Sequence, residues 1–270
     1  LYVQFELGFD GFHDKKDRIY RVEQILAHES HTEPTAGCPT ALSFALAADI
    51  PDFEKITKVI RNNLFFTTPD NRKFRENDVF AVDNAFLEMF TFPLLKGDMS
   101  TALSEPFSLV ITESLATRIF GADEPVGQTI EAGNEFDLKI TGVIADVPAN
   151  SHLRFNALLS VSTYPSLYAK DVFSRWGDNW VPLYVLLQPN QSYQETNEKL
   201  RTYLKKYQGE RSRNELYLRP LKEIHLHADV SGEFAVVGSI KNVNIFSAIS
   251  IFVLLIACIN FMNLATARSA

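Results

Sequence analysis

The sequence has few cysteines, no basic block and none of the common catalytic signatures. Its two cysteines, Cys38 and Cys258, are too few to define a disulfide framework. Its 33 acidic side chains outnumber the 26 basic ones and give a net charge of −7. Because nucleic-acid binding depends on clustered Lys and Arg side chains that neutralise phosphates, we expect no nucleic-acid partner.

The segment FGADEPVGQTI at 120–130 has two glycines but lacks what a phosphate-binding loop needs. A Walker loop places a lysine directly after its second glycine, whereas this segment has Gln128 after Gly127. Its acidic side chains would also repel a polyphosphate. The pattern instead predicts a helix over 112–120, a type I turn over 124–127 and a strand that begins at Gln128.

Catalytic residues are equally hard to find. No nucleophile elbow of the form G-x-S-x-G occurs, and local sequence marks no Ser, His and Asp set. Cys38 precedes a proline and has no identifiable histidine partner, so a cysteine nucleophile is unsupported. We therefore predict no catalytic residues, no cofactor and no enzymatic activity for this chain.

The letters HLHAD contain the best candidate for a metal site. Alternate residues of a strand share one face, so His225, His227 and Asp229 could converge on one ion if this segment is a strand. The end of a surface strand explains the same letters without a metal, and both interpretations stay open. His28 and His31 are three residues apart and are interpreted as loop residues.

One long apolar run stands out in an otherwise ordinary composition. Residues 245–267 pass without a charge. As a helix they would extend about 34 Å, against a bilayer hydrocarbon core of about 30 Å, so we predict a membrane span. Arg268, directly after the run, places the C-terminal end on the cytoplasmic side. Asn260 and Asn263 share a face of this helix and are predicted to pack against another membrane helix.

The first residues suggest a second membrane segment. The chain begins with Leu1 rather than with methionine, and LYVQF is interpreted as the tail of an earlier span. A basic start followed by an apolar stretch, typical of a signal peptide, is not seen. We therefore expect an external domain between two membrane helices, the second of which is retained.

Two segments with the same β-α-β pattern enclose a middle region of short predicted strands and turns. The first predicted unit has a strand at 18–26, a helix at 39–50 and a strand at 53–60, and the second has a strand at 181–187, a helix at 193–207 and a strand at 216–218. The middle region is predicted to contain a hairpin through 69–73, strands at 79–82, 128–131 and 138–144, and helices at 85–90 and 112–120. The pattern indicates a duplicated lobe with an insertion.

Five motifs spread along the chain together resemble one family. They are FDGFHDKKDRIYRV at 9–22, LVITESLATRIFG at 109–121 followed by PVGQTI at 125–130, ITGVIADVPANSH at 140–152, LRPLKEIHLH at 218–227, and AISIFVLLIACINFMNLATARS at 248–269. These motifs resemble the FtsX-like ABC-transporter permeases with their MacB-like periplasmic core domain. The match runs in order over nearly the whole chain.

This resemblance implies an α+β fold with a porter-like lobe of two βαβ units, an inserted α/β (Sabre-like) lobe and a C-terminal transmembrane helix. The implied boundaries are 1–17 for the end of a preceding membrane helix and the first segment, 18–63 and 155–240 for the porter-like lobe, 64–154 for the inserted lobe, and 241–270 for the transmembrane helix. No catalytic residues are carried over from the family.

The resemblance also implies a role. It is that of an extracytoplasmic domain in the bacterial inner membrane, which couples cytoplasmic ATP hydrolysis to periplasmic export or release of a substrate by mechanotransmission. The implied partners are a second permease copy, as a homodimer or heterodimer, a cytoplasmic ABC ATPase, a periplasmic adaptor and the membrane itself.

Two other classes of protein stay open. A membrane-tethered sensor domain would bind a ligand outside the cell and signal through the same C-terminal helix. A secreted metal-dependent hydrolase would use His225, His227 and Asp229 and would contain metal when purified.

Overall fold

Two large β-sheets and the helices that cover them form the body of the protein, and a long helix follows them. The computed structural model describes residues 2–68, 71–133 and 135–269. Most neighbouring strands in both sheets are antiparallel, which confirms the predicted α+β class.

We number the helices and strands in chain order. The helices are α1 (Tyr2–Leu7), α2 (Leu42–Asp49), α3 (Asn84–Met89), α4 (Glu113–Phe120), α5 (Tyr164–Leu167), α6 (Tyr193–Arg201), α7 (Lys205–Gln208), α8 (Leu221–His227) and α9 (Ile240–Ser269). The strands are β1 (Ile19–Ala27), β2 (Thr32–Thr35), β3 (Cys38–Pro39), β4 (Phe53–Lys58), β5 (Ile60–Thr67), β6 (Lys73–Val82), β7 (Leu94–Gly97), β8 (Ser108–Thr112), β9 (Thr129–Ala132), β10 (Phe136–Ile144), β11 (Ala157–Ser160), β12 (Asn179–Val181), β13 (Leu183–Leu187) and β14 (Glu215–Pro220).

The first sheet has the strand order β14, β1, β13, β4, and β2 pairs with the far end of β1. All these pairs are antiparallel, so β1 and β4 run in the same direction with β13 between them. In the same way, β13 and β14 lie on either side of β1. The helices and strands of the two predicted β-α-β units are therefore present, but the units interleave in a ferredoxin-like order rather than each pairing its own strands.

Helices cover both faces of this sheet. On one face, Val22 packs in a core with Leu42 of α2 and Leu200 of α6. On the other face, Ile19 packs in a core with Leu221 of α8. All five side chains are fully buried, so a charged residue on β1 has no access to water and needs a partner from within the protein.

The second sheet is formed by the middle of the chain. In the described residues, β10, β8, β11, β6, β5 and β9 pair in sequence, and β9 pairs back with β10, so the sheet closes on itself while β7 extends β10. Its strands begin at Ile60 and end at Ser160. The predicted hairpin through 69–73 joins β5 and β6, which pair up to Thr67 and Lys73, and residues 69 and 70 of its turn lie outside the described residues.

The connection between the two sheets is very short. One buried residue, Val59, separates β4 of the first sheet from β5 of the second. The backbone N–H of Val59 donates a hydrogen bond of 3.0 Å to the carbonyl of Pro182, which precedes β13. The two sheets are therefore joined directly rather than through a flexible linker at this point.

The segment 120–130 has the predicted helix end and strand, but its turn differs. Gly121, with φ +63°, follows α4, and β9 begins at Thr129. The backbone N–H of Gln128 donates to the carbonyl of Pro125, and Gly127 has φ +92°. The predicted type I turn over 124–127 is wrong, because this turn lies one residue later with glycine at its third position, as a type II turn requires.

The last helix, α9, confirms the helix predicted over 245–267. Within the described residues it is the helix long and apolar enough to cross a membrane, judged by length and composition. Its apolar side chains face outwards, with Phe252 65% and Leu254 64% exposed. Helix α1 lies beside its first turns, where the rings of Tyr2 and Phe246 are 5.1 Å apart.

Candidate functional site

The metal site suggested by HLHAD is not formed. His225 and His227 lie on α8 rather than on a strand, and Asp229 follows the helix end. Residues two apart on a helix point about 200° apart, so the two imidazoles do not share a face. The predicted strand is therefore wrong, and with it the reason for placing the three side chains around one ion. His227 is exposed, whereas His225 is buried.

The spacing of the residues in this segment also fits a helix. Leu221, Ile224 and His225 have the spacing of one helix face, and all three are buried. Pro220 precedes the first turn, a position in which a missing N–H costs no helical hydrogen bond. The apolar face of α8 packs beneath β1, and this contact stabilises the helix despite its short length.

The chain enters and leaves the domain at one place, which we call the junction (residues 2–18 and 221–246). Its centre is His225, whose imidazole stacks on the ring of Phe9 at a centroid distance of 3.3 Å. The Nε2 atom of His225 lies 2.8 Å from Oε2 of Glu6, and its Nδ1 atom lies 2.8 Å from the carbonyl of Val236. A carbonyl accepts only, so Nδ1 of His225 donates to Val236, and Nε2 faces the Glu6 carboxyl group.

Gly238 is required where α9 approaches this pair. Its backbone N–H donates a hydrogen bond of 2.7 Å to the carbonyl of His225. A Cβ atom at position 238 would lie 2.6 Å from Oε2 of Glu6 and 2.7 Å from Nε2 of His225. Because real Cβ contacts are longer than this, only glycine lets the backbone before α9 lie against the Glu6 and His225 side chains.

A second buried polar cluster ties the first segment to both sheets. Asp10 has φ +56°, and its Oδ1 atom lies 2.8 Å from Nδ1 of His152 and 3.8 Å from Nε2 of His13. The Nε2 atom of His152 lies 3.0 Å from the hydroxyl of Tyr184 on β13. The backbone N–H of Thr91 donates to Nδ1 of His13, which fixes that ring as the neutral tautomer.

Burial and charge set the ionisation of this cluster. Burial opposes ionisation of Asp10, but attraction and hydrogen bonding to His152 outweigh it and lower the pKa of the carboxyl. Burial lowers the pKa of His13 to about 4, although Asp10 partly opposes this change. Burial also raises the pKa of the Tyr184 hydroxyl. At neutral pH the cluster therefore holds an ionised Asp10 and an uncharged His13.

A loop that follows β10 of the second sheet forms hydrogen bonds with the first segment and with the segment before α9. The side-chain amide of Asn150 donates 2.9 Å to the carbonyl of Gly8, and the backbone N–H of Asp10 donates 2.9 Å to the carbonyl of Asn150. The backbone N–H of Val236 donates 3.0 Å to the carbonyl of His152. The two chain segments at the junction therefore contact one loop, 145–153.

The segment before α9 is bound to the first sheet by a buried charge. Arg21 on β1 is fully buried, and its guanidinium lies 2.8 Å from Oε2 of Glu233 and 2.5 Å from Oε1 of Glu23. Arg219 on β14 lies 2.7 Å from the same oxygen of Glu23. Glu233 also accepts hydrogen bonds from the next two backbone N–H groups. Burial disfavours charge on Arg21, but Tyr184, Glu233 and Glu23 outweigh it and raise its pKa.

Local sequence patterns did not mark these residues as functional candidates. A signal existed for Arg21 and Glu23, because they alternate with apolar residues in IYRVEQ and so share the face of β1 that carries Ile19. No comparable signal marks Glu6 or Glu233, since each meets its partner more than 200 positions away along the chain.

An open cavity of about 470 Å³ lies where the chain returns from the second sheet to the first. Tyr164, Tyr168 and Trp180 supply aromatic walls, and Tyr168 is 67% exposed. Two arginines reach the rim, but Arg61 is paired with Asp78 and Arg175 with Asp171.

The remaining sequence candidates lie away from the junction. Asn260 and Asn263 are exposed on α9, among apolar side chains, so their packing against another helix stays a prediction. Cys38 is buried beneath β1, and burial raises the pKa of its thiol, so the thiolate form is disfavoured there.

The sequence from residue 3 to residue 203 matches the family model described as the MacB-like periplasmic core domain. The chain belongs to this family. MacB-like periplasmic core domains are parts of ABC-transporter permeases, and this one is the periplasmic domain of a MacB/FtsX-like permease with an apolar helix at its C-terminal side. The family is of the permease type rather than a family of catalytic enzymes.

Solved structures share the fold of this MacB-like domain. A domain of a protein assigned as a permease from Porphyromonas gingivalis is 24% identical, with a TM-score of 0.65 over 77% of this chain and 92% of that one. The periplasmic region of MacB from Actinobacillus actinomycetemcomitans is 13% identical, with a TM-score of 0.56 over 77% and 90% of the two chains.

The extracellular domain of the noncanonic ABC-type transporter YknZ from Gram-positive bacteria is 11% identical, with a TM-score of 0.53 over 73% of this chain and 98% of that one. At these identities the likeness concerns the fold alone. No curated protein matches the sequence.

Proposed function

We propose that this domain transmits force between the membrane and the periplasm, so that ATP hydrolysis in the cytoplasm drives export or release of a substrate. The ATPase is a separate domain or subunit on the other side of the bacterial inner membrane. The permease works with a second copy, as a homodimer or heterodimer, and with a periplasmic adaptor. The first sheet belongs to its porter-like lobe, predicted over 18–63 and 155–240. The second sheet belongs to its inserted, Sabre-like lobe, predicted over 64–154, although the strands of this sheet extend a few residues further, from Ile60 to Ser160.

The observation that carries this proposal is the junction. The segment before α9 is held to the first sheet by Glu233 and Arg21, and to the second sheet by Val236 and His152. Both contacts are buried in whole or in large part. A movement of α9 therefore pulls on both sheets, whereas a flexible linker would absorb it.

Helices α1 and α9 support the same mechanism because they meet side by side. Glu6 on α1 contacts His225, and Tyr2 contacts Phe246 on α9. When one of the two helices tilts, these contacts carry the tilt to the other. Two arrangements of the permease dimer, with different affinities for ATP-loaded ATPase, are sufficient to convert this tilt into work.

Asn260 and Asn263 give α9 a polar face for the second permease copy or for another helix of the same subunit. Amide side chains in a bilayer avoid lipid because an unpaired polar group is costly there. We assign them to helix packing rather than to a transport pathway.

The test is a distance measurement in the intact permease, purified with the ABC ATPase that accompanies it and placed in a lipid nanodisc. A spin label at Thr117→Cys on the exposed side of α4, in a Cys258→Ser background, reports the separation of the two copies. We expect the distance distribution to change when a non-hydrolysable ATP analogue is added. Glu233→Ala is expected to abolish this change while leaving ATP hydrolysis in place.

Glu124→Ala is the matched control, because Lys96 and Glu124 form an exposed ion pair remote in sequence from the junction. It should leave both the ATP response and hydrolysis unchanged. A permease that purifies without any ATPase, or a label distance that does not respond to ATP, would contradict the proposal.

A membrane-tethered sensor is the second candidate, and the aromatic cavity at Tyr164, Tyr168 and Trp180 is the observation that favours it. A sensor continues after α9 into a signalling coil or kinase, whereas a permease continues into further apolar spans. The downstream sequence of the gene distinguishes the two.

A further inference from the structure

The tip of the β1–β2 hairpin carries a group of metal-ligating side chains. Strand β1 ends at Ala27 and β2 begins at Thr32. His28, His31 and Glu33 each offer one ligand atom there, and these atoms all lie within 4.8 Å of one another. Among the described residues, 2–68, 71–133 and 135–269, one group of at least three His, Cys, Asp or Glu side chains has ligand atoms this close together, and it is this one.

One pair of ligand atoms already has the spacing that a tetrahedral ion requires. Zinc bonds of about 2.0–2.1 Å to nitrogen and oxygen separate two ligands of a tetrahedron by about 3.3–3.4 Å. The Nε2 atom of His28 lies 3.3 Å from Oε2 of Glu33, so this pair already has the spacing of two ligands. The rings of His28 and His31 are stacked with centroids 4.6 Å apart, and exposed side chains of this kind can rotate to close the remaining distances.

The backbone beneath the ligands is well held. The N–H of His28 donates 2.9 Å to the carbonyl of His31, which closes the hairpin turn. Arg213 donates 3.1 Å to the carbonyl of His28, and Asn214 accepts a bond of 2.9 Å from the N–H of Ala27. Because the backbone is already fixed, ion binding needs to order only the side chains.

A neighbouring hydroxyl group orients one of the ligands. Ser30 Oγ lies 3.2 Å from Nδ1 of His31 and orients that ring. An exposed contact between one histidine and one glutamate contributes little to stability and would not require the second imidazole.

We propose that His28, His31 and Glu33 form a binding site for a divalent transition metal, with Zn²⁺ as its reference ion. Two imidazoles and one carboxylate suit Zn²⁺, Ni²⁺ or Cu²⁺, whereas Mg²⁺ and Ca²⁺ prefer oxygen ligands. Three protein ligands leave a fourth tetrahedral position, which is open to water because the cluster is exposed.

The hairpin tip lies at the opposite end of β1 from α1, although Ser231 of the segment before α9 donates a backbone hydrogen bond to Pro34 beside Glu33. Strand β1 begins next to the junction, and its nine residues extend about 30 Å to the hairpin tip. Metal binding at the tip can nevertheless be tested apart from force transmission, because a titration with the metal measures it directly.

The test is a calorimetric titration of the full chain in detergent with ZnCl₂, repeated with MgCl₂. We expect one Zn²⁺ per chain and no heat from Mg²⁺. His28→Asn and His31→Asn should each weaken Zn²⁺ binding at least about tenfold, since removing even a second-layer partner costs about 10–100-fold. Both positions are exposed, so the variants should unfold at the same temperature as the parent without metal.

His227→Asn is the control, because His227 is an exposed histidine outside the cluster. It should bind Zn²⁺ as tightly as the parent. Co²⁺ gives a second readout, since its visible absorption is strong in four-coordinate sites and weak in six-coordinate ones. Unchanged Zn²⁺ binding in His28→Asn, loss of binding in His227→Asn, or a six-coordinate Co²⁺ spectrum would overturn the proposal.

Discussion

Removal of the Glu233 carboxylate is the most direct test of how the segment before α9 is held. In Glu233→Ala, the fully buried Arg21 keeps Glu23 as a partner but loses the only carboxylate that comes from this segment. Breaking a buried ion pair costs about 3–5 kcal/mol because the remaining charge is left uncompensated. Since Glu23 still compensates part of the charge, we expect a loss at the lower end, about 3 kcal/mol.

Thermal unfolding in detergent, followed by the fluorescence of Trp176 and Trp180, measures this loss. At about 2–4 °C per kcal/mol for a large domain, the midpoint should fall by about 6–12 °C. Glu124→Ala is the reference, because the side chains of Lys96 and Glu124 are 48% and 60% exposed and such a pair contributes little to stability.

Equal midpoints for Glu233→Ala and Glu124→Ala would refute the reasoning, because a buried guanidinium cannot lose a partner without cost. The double variant Arg21→Met with Glu233→Met should recover part of the loss, since apolar residues of similar size often replace a buried pair without penalty. In that variant Glu23 keeps Arg219 as its partner.

Three further outcomes are expected. Gly238→Ala should lower the free energy of unfolding in denaturant by about 1–3 kcal/mol because its Cβ would overlap the Glu6 and His225 side chains, whereas Gly177→Ala, with nothing within 4 Å, should be neutral. The pKa of His13 falls from 6.5 to about 4 on folding, so below pH 6.5 the unfolded chain binds a proton that the folded protein does not. Stability should therefore drop by about 3 kcal/mol from pH 6.5 to 4, and His13→Gln should flatten this dependence, measured as unfolding free energy against pH; an unchanged slope would contradict it. Replacing Asn260 and Asn263 by Leu should weaken self-association of the permease about fivefold in a fluorescence energy transfer assay, and no change would rule out their role in helix packing.

Local patterns predicted most of the secondary structure. Thr112 caps α4 with a hydrogen bond of 3.3 Å from the N–H of Leu115, and Ser192 does the same for α6 through Glu195. Capping, apolar periodicity and turn residues act over a few positions, so they are visible in the letters. The predicted helix at 193–207 is interrupted by a turn, where it divides into α6 and α7.

The order of strands was not predictable in the same way. The pattern indicated two β-α-β units, but nothing in either unit states that β13 inserts between β1 and β4. The prediction that His225 lies on a strand was wrong for a related reason. The seven residues of α8 fit both the alternating pattern of a strand and the spacing of a helix. The packing of α8 beneath β1 selects the helix.

The sequence by itself determined the class of the protein: an α+β domain without a nucleotide loop, an apolar helix of membrane-spanning length, and motifs of one permease family. These properties follow from composition and from spacing over short distances. Only the tertiary structure decided how the membrane helix is connected to the domain. Glu6 meets His225, and Arg21 meets Glu233, across more than 200 positions. Such pairs form because burial forces each charge to find a partner, and the fold alone determines which partner is within reach.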